Sequence, residues 1–157
     1  MKKKAIIISI KGFKLTPKEK SLIKREKPWG LILFKRNIKS FKQLKLLIKN
    51  IKKTSNDNKF PILIDEEGGK VSRLKNIIEN NISQKLFGDI YEISPKMSLK
   101  FYKDYINSIC SILKKIGVNI NTVPVLDVLQ DKTHKIIGNR SFSKKSSIVK
   151  NLGEFCI

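Results

Sequence analysis

The sequence predicts an α/β fold in which buried, parallel strands alternate with amphipathic helices. Short apolar runs recur along the chain, and each is followed by polar residues and then by a segment with helical spacing. Where these units are clearest they are roughly 30 residues long, which is the size of a β/α unit. This order predicts right-handed helical crossovers between parallel strands.

The first unit has a strand and a helix with a well-marked start. The apolar run Ala5–Ile10 is the candidate strand, and Gly12 turns the chain after it. Thr16 is then a suitable helix N-cap, with Pro17 in the first turn and Glu19 completing a capping box. We expect this helix to end before the Pro-Trp-Gly break that follows it.

The second unit repeats this arrangement. Leu31–Phe34 is the second candidate strand, and it ends in the polar residues 35–37. Ser40 is the expected N-cap of the next helix, with Gln43 three residues later. The apolar residues of this helix follow helical spacing: Phe41, Leu44, Leu47, Ile48 and Ile51.

The third strand is the part of the chain around which the rest is organised. The uninterrupted apolar run Ile62–Ile64 predicts a strand buried on both faces. Asp65, Glu66 and Glu67 follow at once, and Gly68-Gly69 allows a tight turn. Because ligands bind at the carboxyl ends of parallel strands, these acids are candidate site residues. The alternative is a strand end followed by a polar turn.

The next segment gives a weaker pattern before a long helix. Within residues 75–97 the sequence suggests turns at Asn80-Asn81 and at Gly88. A single apolar stripe then predicts a helix from about Ser98 to Ile116. Gly117 is a suitable C-cap for this helix.

The fourth unit completes the chain. Val118–Val125 is the candidate strand, and we expect its pairing to stop at Pro124, which lacks a backbone donor. Asp127 follows the strand, again at an exit from the sheet. A final helix opens at Lys145, and the chain stops inside it at Ile157.

The order of elements favours part of a (β/α) barrel over a doubly wound sheet. No glycine-rich dinucleotide fingerprint follows the first strand, and no phosphate-binding loop is found in the sequence. A complete eight-unit barrel takes about 250 residues. The 157 residues therefore predict about four β/α units, which is about half of a barrel and leaves two exposed parallel edges.

The chain is strongly basic, with a net charge of +21 from 34 basic and 13 acidic residues. Such a charge attracts nucleic acid and anionic lipid. Only four of the basic residues are arginines, however, and the lysines are spread along every helix face, as an AT-rich genome would encode. Without an arginine cluster or zinc-finger spacing, the sequence predicts no specific nucleic-acid partner.

The compartment is predicted from three absences in the sequence. No apolar run reaches the roughly 20 residues of a membrane span. The Lys-rich start leads into an apolar run that is too short for a signal peptide, and no cleavage site follows. Cys110 and Cys156 lack metal-type spacing, so both are expected to be reduced. We expect a cytoplasmic protein without a membrane partner, a cofactor or a metal.

Four motifs occur together in one order and spacing: Gly30–Asn37, Ile64–Arg73, Gly117–Val128 and Ile137–Phe142. Together they resemble the β-N-acetylhexosaminidases of glycoside hydrolase family 3, bacterial enzymes of peptidoglycan recycling. The resemblance covers essentially the whole chain. It implies that residues 1–157 are the N-terminal half of a TIM-type (β/α)8 barrel, an incomplete domain that ends within its fourth helix.

The resemblance also implies an activity. The family releases terminal β-linked N-acetylglucosamine from oligosaccharides or small molecules, with retention at the anomeric carbon. This reaction needs a carboxylate nucleophile and a separate acid/base. In the family these are an aspartate and a histidine beyond the fourth helix, so we expect no catalytic residue and no turnover in this chain. His134, the only histidine, is expected in a solvent-exposed loop.

Three substrate-binding residues are implied by the resemblance: Asp65, Arg73 and Arg140. The aspartate matches one that accepts hydrogen bonds from sugar hydroxyls, and the arginines match residues that supply rigid forks of donors. We interpret Glu67 and Asp127 as residues that fix loops. An ion pair between Arg73 and either of these acids is the structural alternative.

The chain departs from the usual family pattern at a few positions. Glu66, Lys70 and Ser72 stand where glutamine, arginine and glutamine are usual, and Lys11 stands where an acid is common. A lysine keeps the charge of arginine but loses its bidentate geometry. Two alternatives remain, a non-catalytic module that holds an amino sugar and a basic protein associated with nucleic acid. Preference for the N-acetyl group over a plain glucoside rests on motif similarity alone.

Overall fold

The structure is a computed structural model that describes residues 3–157. Its strands are β1 (Lys4–Ile8), β2 (Pro28–Leu33), β3 (Ile62–Ile64) and β4 (Ile120–Asn121). Its α-helices are α1 (Pro17–Glu26), α2 (Phe41–Ser55), α3 (Gln84–Ile93), α4 (Pro95–Ile116) and α5 (Ser146–Cys156). Short 3₁₀ helices lie at Lys35–Asn37 and Gly138–Arg140. No helix in the described part is long and apolar enough to span a membrane.

The chain divides into two compact units, each made of three segments. The first unit contains Met1–Asp65, Arg73–Glu79 and Ile112–Thr122. The second unit contains Glu66–Ser72, Asn80–Ser111 and Val123–Ile157. All four strands belong to the first unit, whereas α3, α5 and most of α4 belong to the second.

The sheet of the first unit has the order β1-β2-β3-β4, and all neighbouring strands are parallel. The predicted parallel α/β fold is therefore confirmed. All three residues of β3 are buried, as the apolar run predicted. Strand β1 lies at an edge, where Ile6 and Ile7 remain 45% and 48% exposed. Within residues 3–157, β1 and β4 each pair with one strand only, so the sheet is open.

The helix starts of the first unit follow their local sequence. Thr16 caps α1 by accepting from the backbone N–H of Glu19, and the Glu19 carboxylate accepts in return from the backbone of Thr16. The Ser40 hydroxyl caps α2 in the same way, accepting from the Gln43 N–H at 3.3 Å. Both predicted caps are confirmed, and Gly117 follows α4 with a positive φ of +105°, as suits the C-cap position predicted for it. The fully buried face of α2 consists of Leu44, Leu47, Ile48 and Ile51.

The second unit packs around an aromatic cluster. Phe87 of α3 lies 4.6 Å from Tyr102 of α4 between ring centroids, and Tyr102 makes an edge contact with Phe142 at 5.5 Å. Ile148, Val149 and Leu152 of α5 complete the buried cluster. Burial raises the pKa of the Tyr102 phenol well above its usual range, so this group stays neutral at any physiological pH.

The ends of two strands differ from the predictions, each for its own reason. Phe34 was expected in the second strand, but β2 ends at Leu33. The Phe34 N–H donates to the Asn37 Oδ1 at 2.9 Å and is therefore not available for strand pairing. The fourth strand is two residues long, not the predicted Val118–Val125, because its partner β3 ends at Ile64 and offers nothing further to pair with.

Helix boundaries in the second unit also correct the sequence predictions. Gly88 was expected in a turn, yet it lies inside α3, where its missing side chain lets the backbone of Phe142 approach closely. An added Cβ would lie 1.8 Å from the Phe142 carbonyl oxygen. Helix α4 begins at Pro95, three residues before the predicted start, since proline suits a first helical turn.

The acid stability of the first unit should depend on Glu26 at the end of α1. Hydrogen bonds from Lys4 and then Arg25 lower the pKa of its carboxyl from 4.5 to about 2. Because the folded pKa lies below the unfolded one, this stabilisation is complete above about pH 4.5 and is lost as the pH falls towards 2. In Glu26→Gln we expect a shallower loss of unfolding free energy across this range, measured by urea unfolding at each pH. The exposed Glu154→Gln serves as control, and equal slopes in both variants would contradict the assignment.

Candidate functional site

Asp65 lies at the carboxyl end of β3, and two donors hold its carboxylate. Arg73 Nη2 donates to Asp65 Oδ2 at 3.1 Å. The Thr122 hydroxyl makes a short hydrogen bond to Asp65 Oδ1 from the residue that follows β4. The side chain of Asp65 is 23% exposed, so the carboxylate is fixed but open to solvent.

Thr122 is a site residue that the sequence reasoning missed, because it lay inside the predicted fourth strand. Its backbone N–H donates to the Ile64 carbonyl at 2.9 Å and continues the pairing of β3 with β4. Its hydroxyl lies 3.2 Å from the same carbonyl but has a single proton, and the charged carboxylate is the stronger acceptor. The parallel register that pairs Ile64 with Asn121 would have found it, since the next residue on each strand is Asp65 and Thr122.

Arg73 is held by an aromatic ring as well as by Asp65. Its guanidinium carbon lies 5.8 Å from the ring centroid of Phe34, at the end of β2. Arg36 approaches the same ring at 4.6 Å. Asp65 is therefore the carboxylate that the structure places beside Arg73, whereas the alternative reading named Glu67 or Asp127.

The polar residues after β2 fix the neighbouring loop. Asn37 is fully buried and donates to the carbonyls of Ile10 and Gly12 at 3.1 and 3.0 Å. Arg36 Nε donates to the Ile10 carbonyl as well, at 3.1 Å. These hydrogen bonds join the segments that follow β1 and β2. They thereby fix the loop next to Phe34, whose ring contacts Arg73.

Arg140 lies in the second unit, where it forms a bidentate pair with Glu67. Its Nε donates to Glu67 Oε2 at 2.7 Å, and its Nη2 donates to Oε1 at 2.9 Å. Glu67 is only 7% exposed, and Arg140 is 26% exposed at its side chain. Such a planar, two-bond arrangement fixes the orientation of the guanidinium.

The loop that carries Glu67 depends on two glycines in the left-handed region. Gly68 and Gly69 have φ values of +83° and +54°, and a Cβ on Gly68 would lie 2.2 Å from the Ile82 carbonyl oxygen. The Val71 N–H donates back to the Gly68 carbonyl at 3.0 Å. The tight turn predicted from Gly-Gly is confirmed.

A buried polar network secures the other side of this loop. Asn80 Nδ2 donates to the buried Glu66 at 2.8 Å and contacts the Tyr105 hydroxyl at 3.0 Å. Burial raises the pKa of the Tyr105 phenol, so it remains a hydrogen-bond donor at neutral pH. Neither Asn80 nor Tyr105 was found from the sequence, where the asparagine suggested only a turn.

The remaining predicted residues lie in the second unit and have minor roles. The backbone carbonyl of Asp127 accepts from the Ser141 hydroxyl at 2.5 Å. His134 is in an exposed loop, as expected, and its Nδ1 accepts from the Ile136 N–H at 3.2 Å. Among residues 3–157, no three His, Cys, Asp or Glu side chains cluster as a metal site would require.

The fold and the candidate residues together define part of a β/α barrel, in which carboxylates and arginines follow the parallel strands. Asp65 and Arg73 come together in the first unit, while Arg140 pairs with Glu67 in the second. Residues 2–157 match the glycosyl hydrolase family 3 N terminal domain, and the chain belongs to this family.

Two curated relatives are longer proteins that are both named beta-hexosaminidase. The chain is 27% identical over 149 residues to a beta-hexosaminidase of Chromobacterium violaceum, covering 95% of this chain and 41% of the relative. It is 30% identical over 149 residues to a beta-hexosaminidase of Nitrosomonas eutropha, covering 94% of this chain and 42% of the relative. The chain thus spans about two fifths of these relatives.

Solved structures show the same fold. NagZ from Neisseria gonorrhoeae, in complex with N-trifluoroacetyl-D-glucosamine, superposes with a TM-score of 0.87 at 28% identity, covering 98% of this chain and 46% of that chain. A family 3 β-N-acetylglucosaminidase from Paenibacillus gives a TM-score of 0.80 at 25% identity, over 96% of this chain and 28% of that one. The predicted N-terminal half of a TIM-type barrel is confirmed.

Proposed function

We propose that the protein is a β-N-acetylhexosaminidase and that residues 1–157 supply the first half of its sugar pocket. The observation that carries this proposal is the Asp65 carboxylate, held open to solvent at the end of β3 by Arg73 and Thr122. It occurs in a chain that resembles NagZ from Neisseria gonorrhoeae, a protein solved with an N-acylated glucosamine.

Each residue has a definite task in this proposal. The Asp65 carboxylate accepts hydrogen bonds from two adjacent sugar hydroxyls, which suits one edge of a pyranose. Arg73 and Arg140 donate to the sugar from rigid guanidinium planes. Because carboxylate partners already orient both arginines, little side-chain freedom remains to be lost on binding.

The reaction itself is assigned to groups that these residues do not include. Retaining hydrolysis needs a carboxylate nucleophile and an acid/base, and we assign both to a later part of the barrel. The proposed substrate is a terminal β-linked N-acetylglucosaminide of the cell wall, handled in the cytoplasm during peptidoglycan recycling. The domain 1–157 is then the incomplete first part of the barrel.

A chromogenic substrate tests this division of labour. The purified 157-residue chain should release no nitrophenol from 4-nitrophenyl N-acetyl-β-D-glucosaminide, while a coding sequence that continues beyond Ile157 should encode the missing histidine and aspartate. Hydrolysis by the chain alone would contradict the assignment. If the protein encoded by such a longer coding sequence binds the sugar without hydrolysing the substrate, a non-catalytic amino-sugar-binding module would be favoured.

Thr122 should matter for sugar binding because it positions Asp65. Replacing Thr122 by valine removes the hydroxyl at nearly constant volume, and a hydrogen bond to a charged group contributes about 1.5–3 kcal/mol. We expect Thr122→Val to weaken N-acetylglucosamine binding roughly tenfold in an NMR titration. The Hα–Hβ scalar couplings of Asp65 should change from values typical of a single χ1 rotamer to values averaged over several rotamers. Thr122→Ser keeps the hydroxyl and should behave as the parent does, and equal affinities in all three proteins would rule out the positioning role.

A further inference from the structure

A concave surface of about 650 Å³ lies in the first unit between the ends of α2 and α4. Six of its twelve lining residues are lysines: Lys45, Lys49, Lys52, Lys53, Lys114 and Lys115. Its apolar lining is supplied by Ile48 and Ile116. We call this surface the lysine groove. Lysine accounts for 30 of the 157 residues, so the groove is far richer in lysine than the chain as a whole.

The only acid in the lysine groove is already paired. The Asp57 carboxylate accepts from Lys3 Nζ at 2.6 Å and from the Lys59 N–H at 2.8 Å. The hydrogen bond from Lys3 lowers the pKa of Asp57, so this carboxylate stays charged and engaged. The lysine groove therefore has a net positive charge, since six ammonium groups are accompanied by one carboxylate.

The helix dipole explains only those lysines of the groove that lie in the last turns of α2 and α4. Lysines in the last turns of α2 and α4 complement the negative ends of their helix dipoles, and Lys52 Nζ donates to the Gly117 carbonyl at 3.0 Å. Lys45 and Lys49 lie one to two turns earlier on the same face of α2, beyond the reach of this effect. Like charges four residues apart destabilise a helix. The arrangement costs stability unless an anion occupies the groove.

The position of the groove separates it from the candidate sugar site. Asn56 and Asn58, which line it, lie in the loop before β3, and Gly117 lies before β4. The groove is therefore at the amino ends of these strands, whereas Asp65 follows the carboxyl end of β3. An anion in the groove would leave Asp65 accessible.

We propose that the lysine groove binds the phosphate backbone of single-stranded nucleic acid without reading its sequence. The lining has ammonium groups that can pair with phosphates, but no guanidinium fork that could read a base edge. The lysines come from two helices, α2 and α4, and line a concavity of about 650 Å³. A narrow strand can enter a concavity of this size, whereas a flat lipid surface would contact only its edges. This binding is separate from the proposed glycosidase function.

The test uses a fluorescein-labelled oligouridine of about 20 nucleotides, with binding followed by anisotropy across a salt series. Six phosphate contacts predict a log–log salt slope of about −4, since each contact on a single strand contributes about 0.7. The groove variant replaces Lys49, Lys114 and Lys115 by glutamine. In this variant the log–log salt slope should become shallower by about 2, and the affinity at low salt should fall at least about tenfold.

A matched control keeps the charge change equal. Replacing Lys96, Lys100 and Lys103 of α4 by glutamine also lowers the net charge of +21 by three, at exposed positions outside the groove. This control should weaken binding less than about threefold, and circular dichroism should show that both variants stay folded. Equal weakening by both variants, or no salt-dependent binding by the parent, would overturn the proposal. Loss of binding to phosphatidylserine vesicles by the groove variant, with oligouridine binding unchanged, would overturn it in favour of a membrane.

Discussion

Replacing Gly88 by alanine is expected to destabilise the protein by about 3 kcal/mol or more, although alanine is the better helix former by about 1 kcal/mol. The added Cβ would lie 1.8 Å from the Phe142 carbonyl oxygen and 2.7 Å from its carbonyl carbon. Both are backbone atoms next to a fully buried ring, so neither can move without disturbing the aromatic cluster of the second unit.

A second helical glycine provides the matched control. In α5, a Cβ on Gly153 would meet the Leu126 Cδ2 at 2.6 Å, but this side chain is 53% exposed and free to rotate away. We expect Gly153→Ala to change the free energy of unfolding by less than about 1 kcal/mol, measured by urea denaturation. A Gly88→Ala protein as stable as the Gly153→Ala protein would show that α3 does not pack against Phe142 in this way.

Replacing Arg140 by methionine is expected to lower the free energy of unfolding by about 3 kcal/mol. Glu67 is almost completely buried, and the substitution removes both of the hydrogen bonds that Arg140 donates to its carboxylate. Removing one member of a buried ion pair costs far more than the pair contributes, because the remaining charge stays desolvated.

The origin of this cost can be isolated with a double-mutant cycle. Glu67→Gln in the Arg140→Met background should recover part of the loss, since it removes the buried charge that was left behind. The exposed pair of Lys150 and Glu154, 3.8 Å apart, is the control, and Lys150→Met should cost less than about 0.5 kcal/mol. If Arg140→Met is no more destabilising than Lys150→Met, the buried pair is not a structural clamp.

Features that depend on neighbours in the sequence could be predicted. Thr16 and Glu19 are three residues apart, so their capping box is visible in the chain itself, and so is the N-cap at Ser40, whose side chain accepts from the Gln43 N–H. The short apolar run before Asp65 indicated a strand buried on both faces, and β3 is one. Parallel pairing followed from the alternation of such runs with helices.

Features that depend on distant partners could not be predicted. Gly88 resembles a turn residue until Phe142 is placed against it, and the two are far apart in the sequence. The end of β2 is set by the Asn37 side chain, which competes for the N–H of Phe34. The lysines are spread evenly along the chain, and only the meeting of α2 and α4 collects six of them in one groove.

The sequence singled out candidate site residues but not how they are arranged. The motifs singled out Asp65, Arg73 and Arg140, whereas the hydroxyl of Thr122 that helps to hold Asp65 depends on the register of β3 with β4. Similarly, the short spacing of Asp65 and Arg73 is compatible with several pairings, and the structure selects the one between them. Their role in sugar binding remains a proposal that rests on the resemblance and on this geometry.

Whether Asp65 holds the sugar can be measured by an NMR titration of the isotopically labelled chain with N-acetylglucosamine. We expect weak, saturable binding, with a dissociation constant on the order of millimolar. The resonances of Asp65 and of the Arg73 and Arg140 guanidinium groups should shift, and Asp65→Asn should abolish these shifts while leaving the chain folded. Shifts confined to other residues, or binding that survives Asp65→Asn unchanged, would contradict the assignment of Asp65 as the residue that holds the sugar.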